Sequence, residues 1–191
     1  RQIRFQGSRA DVLVFSDGTI EIGPDEAVVL AIPPASAAGL LPEVTMPTEH
    51  RAIVNAHYRM PSGEATDFGL GLVGGLAQWV FRKRDVISVT ISASDPIVDR
   101  SAEELAAAIW HDIGTALAIP AAPMPRWRIV KERRATFAAT PEQHARRPGP
   151  RTRWPNLVLA GDWTATGLPA TIEGAIRSGH RAAAATSEGM F

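Results

Sequence analysis

The spacing of apolar residues changes period several times along this chain, and each change predicts an element. Residues 1–6 alternate like a strand. Residues 11–22 read as a hairpin. Val12 and Val14 precede Asp17-Gly18, Ile20 and Ile22 follow it, and that dipeptide tolerates the positive φ of a tight turn. Residues 27–34 form a continuous apolar run stopped by two prolines. A run without alternation suits a strand covered on both faces, as in a parallel sheet. Residues 35–42 predict one short helix.

Beyond this the alternation is strict. Ala52, Val54, Ala56 and Tyr58 face one way, and Ile53, Asn55, His57 and Arg59 the other. Residues 76–83 and 86–92 predict two further strands joined by the charged turn Lys83-Arg84-Asp85. A helix follows. Ser101 and Glu104 spell a capping box. Leu105, Ala108, Ile109, Ile113, Ala116 and Leu117 then recur at helical spacing, and Pro120 closes the helix. Residues 126–137 return to strand character, and residues 140–155 read as a polar, Pro-rich loop. An apolar strand at residues 156–161 leads to a closing helix. Its expected start is Pro169, whose fixed φ suits a first turn.

The order is a piece of α/β, an antiparallel block with one helix, then another piece of α/β. The expected class is therefore α/β with α+β character, built as two interleaved domains. Residues 1–45 and 141–191 belong to one domain, and residues 46–140 to the inserted one.

Composition narrows the chemistry. The 191 residues are 45% hydrophobic and 21% charged, with 20 basic and 20 acidic side chains. A net charge of zero gives no reason to expect nucleic acid as a partner. The lack of Cys excludes disulfides, thiolate metal sites and a Cys nucleophile. His50, His57, His111, His144 and His180 show no metal-ligand spacing, so no metal site is expected. No run reaches the roughly 18–20 apolar residues of a membrane span. Residues 27–42 are broken by Pro33-Pro34, and residues 68–81 hold four glycines and Gln78, so both read as core. The chain opens on Arg1 already in strand-like alternation and without a signal segment, as expected of a piece of a longer protein.

The closing segment carries the chemistry. Asp162 stands at the carboxyl end of an apolar strand, where ligands of open α/β sheets bind. The early N–H groups of the next helix, around Ala170, Thr171 and Ile172, lack intrahelical partners and suit a negative charge. Ile172, Ala175, Ile176, Gly179 and Ala183 share one face, much of it small. Gly174 and Gly179 each cost about 1 kcal/mol inside a helix, which close approach of a flat ligand would offset. Glu173 and Arg177 are placed as an i,i+4 surface pair.

This stretch, LAGDWTATGLPATIEGAIRSGHRAA, resembles the C-terminal FAD-binding segment of the flavin amine oxidase and phytoene desaturase superfamily. AQWVFRK, VISVTISAS and VKERRATFAATP, in this order before it, resemble the squalene-associated branch, the hydroxysqualene dehydroxylases. The resemblance implies a C-terminal portion of a two-domain FAD-dependent oxidoreductase. Gly161 and Asp162 would meet the FAD ribityl chain, and Thr171 and Ile172 the flavin O2 at the helix start. Trp163, Leu168, Pro169 and Ala170 would line the isoalloxazine ring, and Ala31 to Pro33 the adenine half. The implied reaction is reductive dehydroxylation of hydroxysqualene to squalene in hopanoid synthesis. The implied substrate is a hydrophobic isoprenoid, and the implied location cytoplasmic with peripheral contact at the inner membrane. A carotenoid desaturase, an amine oxidase and a non-catalytic piece that folds or dimerises without FAD are the alternatives.

One element of that superfamily is missing. Residues 69–75 are glycine-rich and space Gly69, Gly71 and Gly74 as GxGxxG, but a strand rather than a helix follows, so they are not the dinucleotide-binding fingerprint. The dinucleotide-binding half is therefore an expected partner outside this chain. The chain alone is expected to bind FAD weakly or not at all, and an exposed apolar surface where that half docks would favour a homodimer. The proton donor is unknown. Glu132, in the cluster Lys131, Glu132, Arg133 and Arg134, is a candidate if burial raises its pKa; otherwise the cluster is a salt-bridged turn. Gln78 and Trp79 are candidate substrate contacts.

Overall fold

The computed structural model describes residues 2–61, 67–118 and 123–189. Contacts divide the chain into two units, residues 1–49 with 136–191, and residues 50–135.

The first unit opens with β1 (Gln2–Gln6), β2 (Arg9–Val14) and β3 (Thr19–Glu21), an antiparallel sheet in that order. The hairpin pairs Leu13 with Ile20 and closes with Phe15 N–H donating to the Gly18 carbonyl at 2.8 Å. β4 (Val28–Leu30) and α1 (Pro34–Leu40) follow. The helix starts on Pro34, whose missing N–H costs nothing in a first turn.

The second unit holds β5 (His50–Arg59), β6 (Phe68–Gly71), β7 (Trp79–Lys83), β8 (Val86–Ile91), α2 (Ala102–Ala116) and most of β9 (Trp127–Phe137). Its five strands lie in the order β6-β7-β8-β5-β9. The alternation read in the sequence sets the core. Ala52, Val54, Ala56 and Tyr58 are buried with Val80, Ile87 and Val89 against Leu105, Ile109 and Ile113 of α2. The Tyr58 hydroxyl donates to the Ala106 carbonyl at 2.7 Å. Burial, with the Asp112 charge adding to it, holds that phenol protonated well above its ordinary range. Ser101 and Glu104 make the capping box in both directions. The helix ends at the Leu117 cap, followed by Ala118 at φ +49°; Pro120 lies outside the described residues.

The chain then completes the first unit with α3 (Pro141–Ala145), β10 (Leu157–Leu159) and α4 (Ile172–Gly189). α3 falls within the stretch read as loop. Thr140 caps it through the Gln143 N–H at 3.2 Å, with Pro141 in the first turn. β10 is wholly buried and pairs in parallel with β4, Val158 opposite Val29. Val29 is nevertheless 49% exposed, so the strand expected to be covered on both faces is open on one. α4 begins at Ile172, three residues after Pro169, because the turn before it is held by Thr166, as set out below.

Candidate functional site

The buried β10 delivers the chain to Gly161 with φ +145°. A Cβ there would lie 2.3 Å from the Trp163 indole nitrogen, so only glycine fits. Trp163 is 2% exposed, and its Nε1 donates to the Ile32 carbonyl at 3.0 Å. The indole is thus a core residue of this unit rather than a wall for a ligand, and only its backbone faces the turn. Ser178 of α4 accepts the Gly161 N–H at 2.9 Å and bonds Thr164 Oγ1 at 2.8 Å. Thr164 in turn donates to the Gly161 carbonyl at 2.9 Å.

Arg147 holds the same turn from the other side. It is 7% exposed, and its Nη2 donates to the Asp162 carbonyl at 2.9 Å and to Thr166 Oγ1 at 3.0 Å. Its Nε reaches the Trp163 carbonyl at 3.4 Å, and the guanidinium lies 4.7 Å over the Phe137 ring. Burial pushes the guanidinium below its ordinary pKa, opposed by the Asp162 charge. An arginine remains charged throughout the working range. Thr166 then accepts the Leu168 N–H at 3.2 Å and shapes the turn through Gly167, Leu168 and Pro169. A cavity of about 380 Å³ opens on that turn, lined by Phe137, Thr140, His144, Arg147, Leu168 and Pro169.

Asp162 is half-buried at the carboxyl end of β10. Burial pushes its carboxyl above the usual range, opposed by the Trp163 N–H and by the Arg147 charge. The α4 start is the second polar feature. Thr171 Oγ1 accepts the Gly174 N–H at 3.0 Å, and its carbonyl accepts that of Ala175 at 3.0 Å. The N–H groups of Ile172 and Glu173 have no acceptor among the described residues, and Ile172 is 83% exposed. An 18-residue helix thus presents its positive end with two free donors.

α4 packs by a stripe the sequence reading did not choose. Gly174, Ser178, Ala182 and Ala185 are buried, the alanines against Val158 and Ala160. A Cβ on Gly174 would meet the Pro169 carbonyl at 3.0 Å, so close approach explains that glycine, while Gly179 has open space around it. The expected ligand-side stripe of Ile172, Ala175, Ile176, Gly179 and Ala183 is exposed, with Glu173 and Arg177 paired at 3.6 Å.

The other candidates lie elsewhere. Glu132 is exposed on β9, and its carboxylate accepts the Arg134 N–H at 3.1 Å, so the burial an acid would need is absent. Lys131 donates to the Arg100 carbonyl and Arg133 pairs with Asp99 at 2.7 Å, which makes the cluster a strand tied to a neighbouring turn. Gln78 spends its amide on the Ser92 backbone, accepting its N–H at 2.8 Å. Trp79 is 52% exposed on β7. Among the described residues no group of His, Asp and Glu could hold a metal ion. Sequence reasoning missed Arg147 and α3. The signal for α3 was present: Thr140-Pro141-Glu142-Gln143 spells a helix start with Pro at its first position.

A family model for flavin containing amine oxidoreductase matches residues 1–186. The chain belongs to that family. It is 56% identical over 171 residues to a hydroxysqualene dehydroxylase of Sinorhizobium fredii, covering 90% of this chain and 41% of that protein. It is 53% identical over 178 residues to one of Rhodopseudomonas palustris, covering 93% and 42%. The match to one of Zymomonas mobilis is 45% over 183 residues, covering 96% and 44%. The chain therefore spans less than half the length of these curated relatives. A solved structure of a candidate protoporphyrinogen oxidase from Exiguobacterium sp. 255-15 superposes on all of this chain and 46% of its own, with TM-score 0.69 and 16% identity. Iminodiacetate oxidase from Chelativorans sp. BNC1 covers 98% of this chain and 48% of its own, with TM-score 0.60 and 18% identity. At such identities these structures speak for the mixed α/β fold alone.

Proposed function

We propose that the whole protein is a FAD-dependent oxidoreductase that removes the hydroxyl of hydroxysqualene to give squalene. The observation that carries this reading is the 56% identity to a hydroxysqualene dehydroxylase, extending across 90% of the chain. Gly161, Asp162, Pro169, Ala170, Thr171 and Ile172 would hold the cofactor, Trp163 contributing backbone only. Their local geometry fits the group. A position that admits no Cβ adjoins a half-buried carboxylate, and two free N–H groups stand at a helix start. When bound, FAD would supply the hydride that the reduction requires.

The chain's own residues do the holding. Arg147 and Ser178 fix the turn so that Asp162 is presented without reorganisation. The Ile172 and Glu173 N–H groups would accept partial negative charge at the start of α4 without a lysine there. The diphosphate site would come from the part of the whole protein outside these 191 residues. A two-stranded parallel sheet with Val29 exposed on β4, and Ile172 and Ile176 exposed on α4, supports surfaces made to be covered. We assign the first unit to cofactor binding and the second to the substrate. A water-insoluble substrate supports a cytoplasmic enzyme working at the membrane surface. No helix among the described residues is long and apolar enough to cross one.

The test is anaerobic incubation of the whole protein, with its flavin reduced, on hydroxysqualene. Squalene as the product is expected. Unchanged hydroxysqualene there, together with oxidation of an amine or desaturation of phytoene by the same protein with its flavin oxidised, would overturn the assignment.

A further inference from the structure

The face of the five-stranded sheet turned away from α2 carries charge that a neutral substrate leaves unused. The strand registers place Lys83, Val86 and Arg59 in one row, and Phe81, Ser88 and His57 in the next. Trp79, Thr90 and Asn55 make the third. β9 runs antiparallel beside β5. The Arg59 N–H donates to the Arg126 carbonyl at 2.8 Å and, at the other end, the Ala138 N–H donates to that of Glu49 at 2.8 Å. Two residues along each strand from the first of these bonds, Arg128 stands beside His57. Trp127 and Ile129 pack on the core, so Arg128 between them belongs to the outer face.

Lys83 and Arg128 are exposed and have no partner among the described residues. Asp85 pairs with Arg59 at 2.9 Å and so offsets one of the three cations. Glu132 lies beyond the third row on β9, where its carboxylate accepts the Arg134 N–H at 3.1 Å. His57 Nδ1 and Ser88 Oγ share a hydrogen bond at 2.9 Å, which leaves His57 Nε2 without a partner among the described residues. Trp79 and Phe81 stack with centroids 6.5 Å apart at 13°, yet are 52% and 46% exposed. Gly69 and Gly71 lie opposite these rings, and a Cβ on either would press against them, at 3.2 Å and 3.4 Å. Apolar rings and cations thus lie side by side on one face. The three strand spacings from β7 to β9 make it about 14 Å across.

We propose that this face binds one molecule of a phosphate-bearing amphiphile lying across the strands. Its chain covers Trp79 and Phe81, and its phosphate sits over the His57–Ser88 pair between Lys83 and Arg128. A phosphate monoester carries about −1.5 to −2 charge at neutral pH and takes several charge-assisted hydrogen bonds. A head placed beside its tail suits a single molecule, whereas a bilayer stands its heads above its chains. Hydroxysqualene has no phosphate, so this site goes beyond the dehydroxylase reading and does not rest on it.

The experiment measures equilibrium binding of decyl phosphate and of decanol to the whole protein, below the concentrations at which either self-associates. The expected wild-type preference for the phosphate is about tenfold or more at low salt, shrinking as salt rises. The double variant Lys83→Gln with Arg128→Gln should bring the preference close to parity and keep decanol affinity. Trp79→Ala should weaken both ligands about tenfold, and Trp79→Phe should restore most of that. Urea midpoints of all variants check that the sheet is intact. Equal wild-type affinity for the two ligands, an undiminished preference in the double variant, or wild-type affinity in Trp79→Ala overturns the proposal. So does binding to phosphatidylglycerol vesicles, lost in the double variant, by a protein that ignores decyl phosphate. Conversion of hydroxysqualene is scored separately, so failure of either reading leaves the other standing.

Discussion

Arg147 donates to the backbone carbonyl of Asp162 at 2.9 Å, so a buried cation, not a carboxylate pair, fixes the turn that presents the acid. The same guanidinium also takes Thr166 Oγ1 and the Trp163 carbonyl. Arg147→Gln removes the charge and the fork together and should destabilise the fold by about 2–4 kcal/mol. Arg147→Lys keeps the charge but has no planar fork, and should recover less than half of that. Urea denaturation of the three proteins checks this. Full recovery by Lys would mean that charge alone matters.

Asp162 carries a stability cost with a definite pH sign. Burial raises its folded pKa, so between the ordinary carboxylate value, about 3.9, and the raised value the folded form binds more protons. Stability contributed at this site therefore falls as pH rises through that window. Asp162→Asn does not titrate, so its stability relative to wild type should grow across the same window and then level off. A difference independent of pH in denaturation curves would contradict this.

Gly161→Ala should be among the costliest single changes in the chain. The new Cβ would collide with an indole that is buried and hydrogen-bonded to Ile32, and the backbone sits at φ +145°. A loss of about 3 kcal/mol or more is expected in chemical denaturation. Gly179→Ala, with open space at its Cβ, should instead stabilise α4 by about 1 kcal/mol.

Much of the fold was legible because alternation and capping are local. The β5 alternation, the hairpin at Asp17-Gly18 and the Ser101–Glu104 box read directly from residue order. What the sequence hid depends on distant partners. The true start of α4 is set by Thr166 and Thr171 side chains, which outweighed the preference of Pro169 for a first turn. The packing stripe of α4 is set by Val158 and Ala160, which no helical period reveals. Arg147 looked like one more charge in a polar run, since only the folded turn brings the carbonyls of Asp162 and Trp163 to it. The resemblance placed Trp163 in the loop lining the flavin ring; its side chain is buried where the missing Cβ of Gly161 leaves room for the indole.

The account's central claim is that the closing turn and the start of α4 hold the flavin. Ile172→Pro tests it with the least disturbance, because proline is tolerated in the first turn and removes only an N–H that is free in the fold. FAD titrated into the whole apoprotein should bind the variant about tenfold or more weakly than wild type, with an unchanged helical spectrum. Equal FAD affinity in the two proteins would contradict the claim.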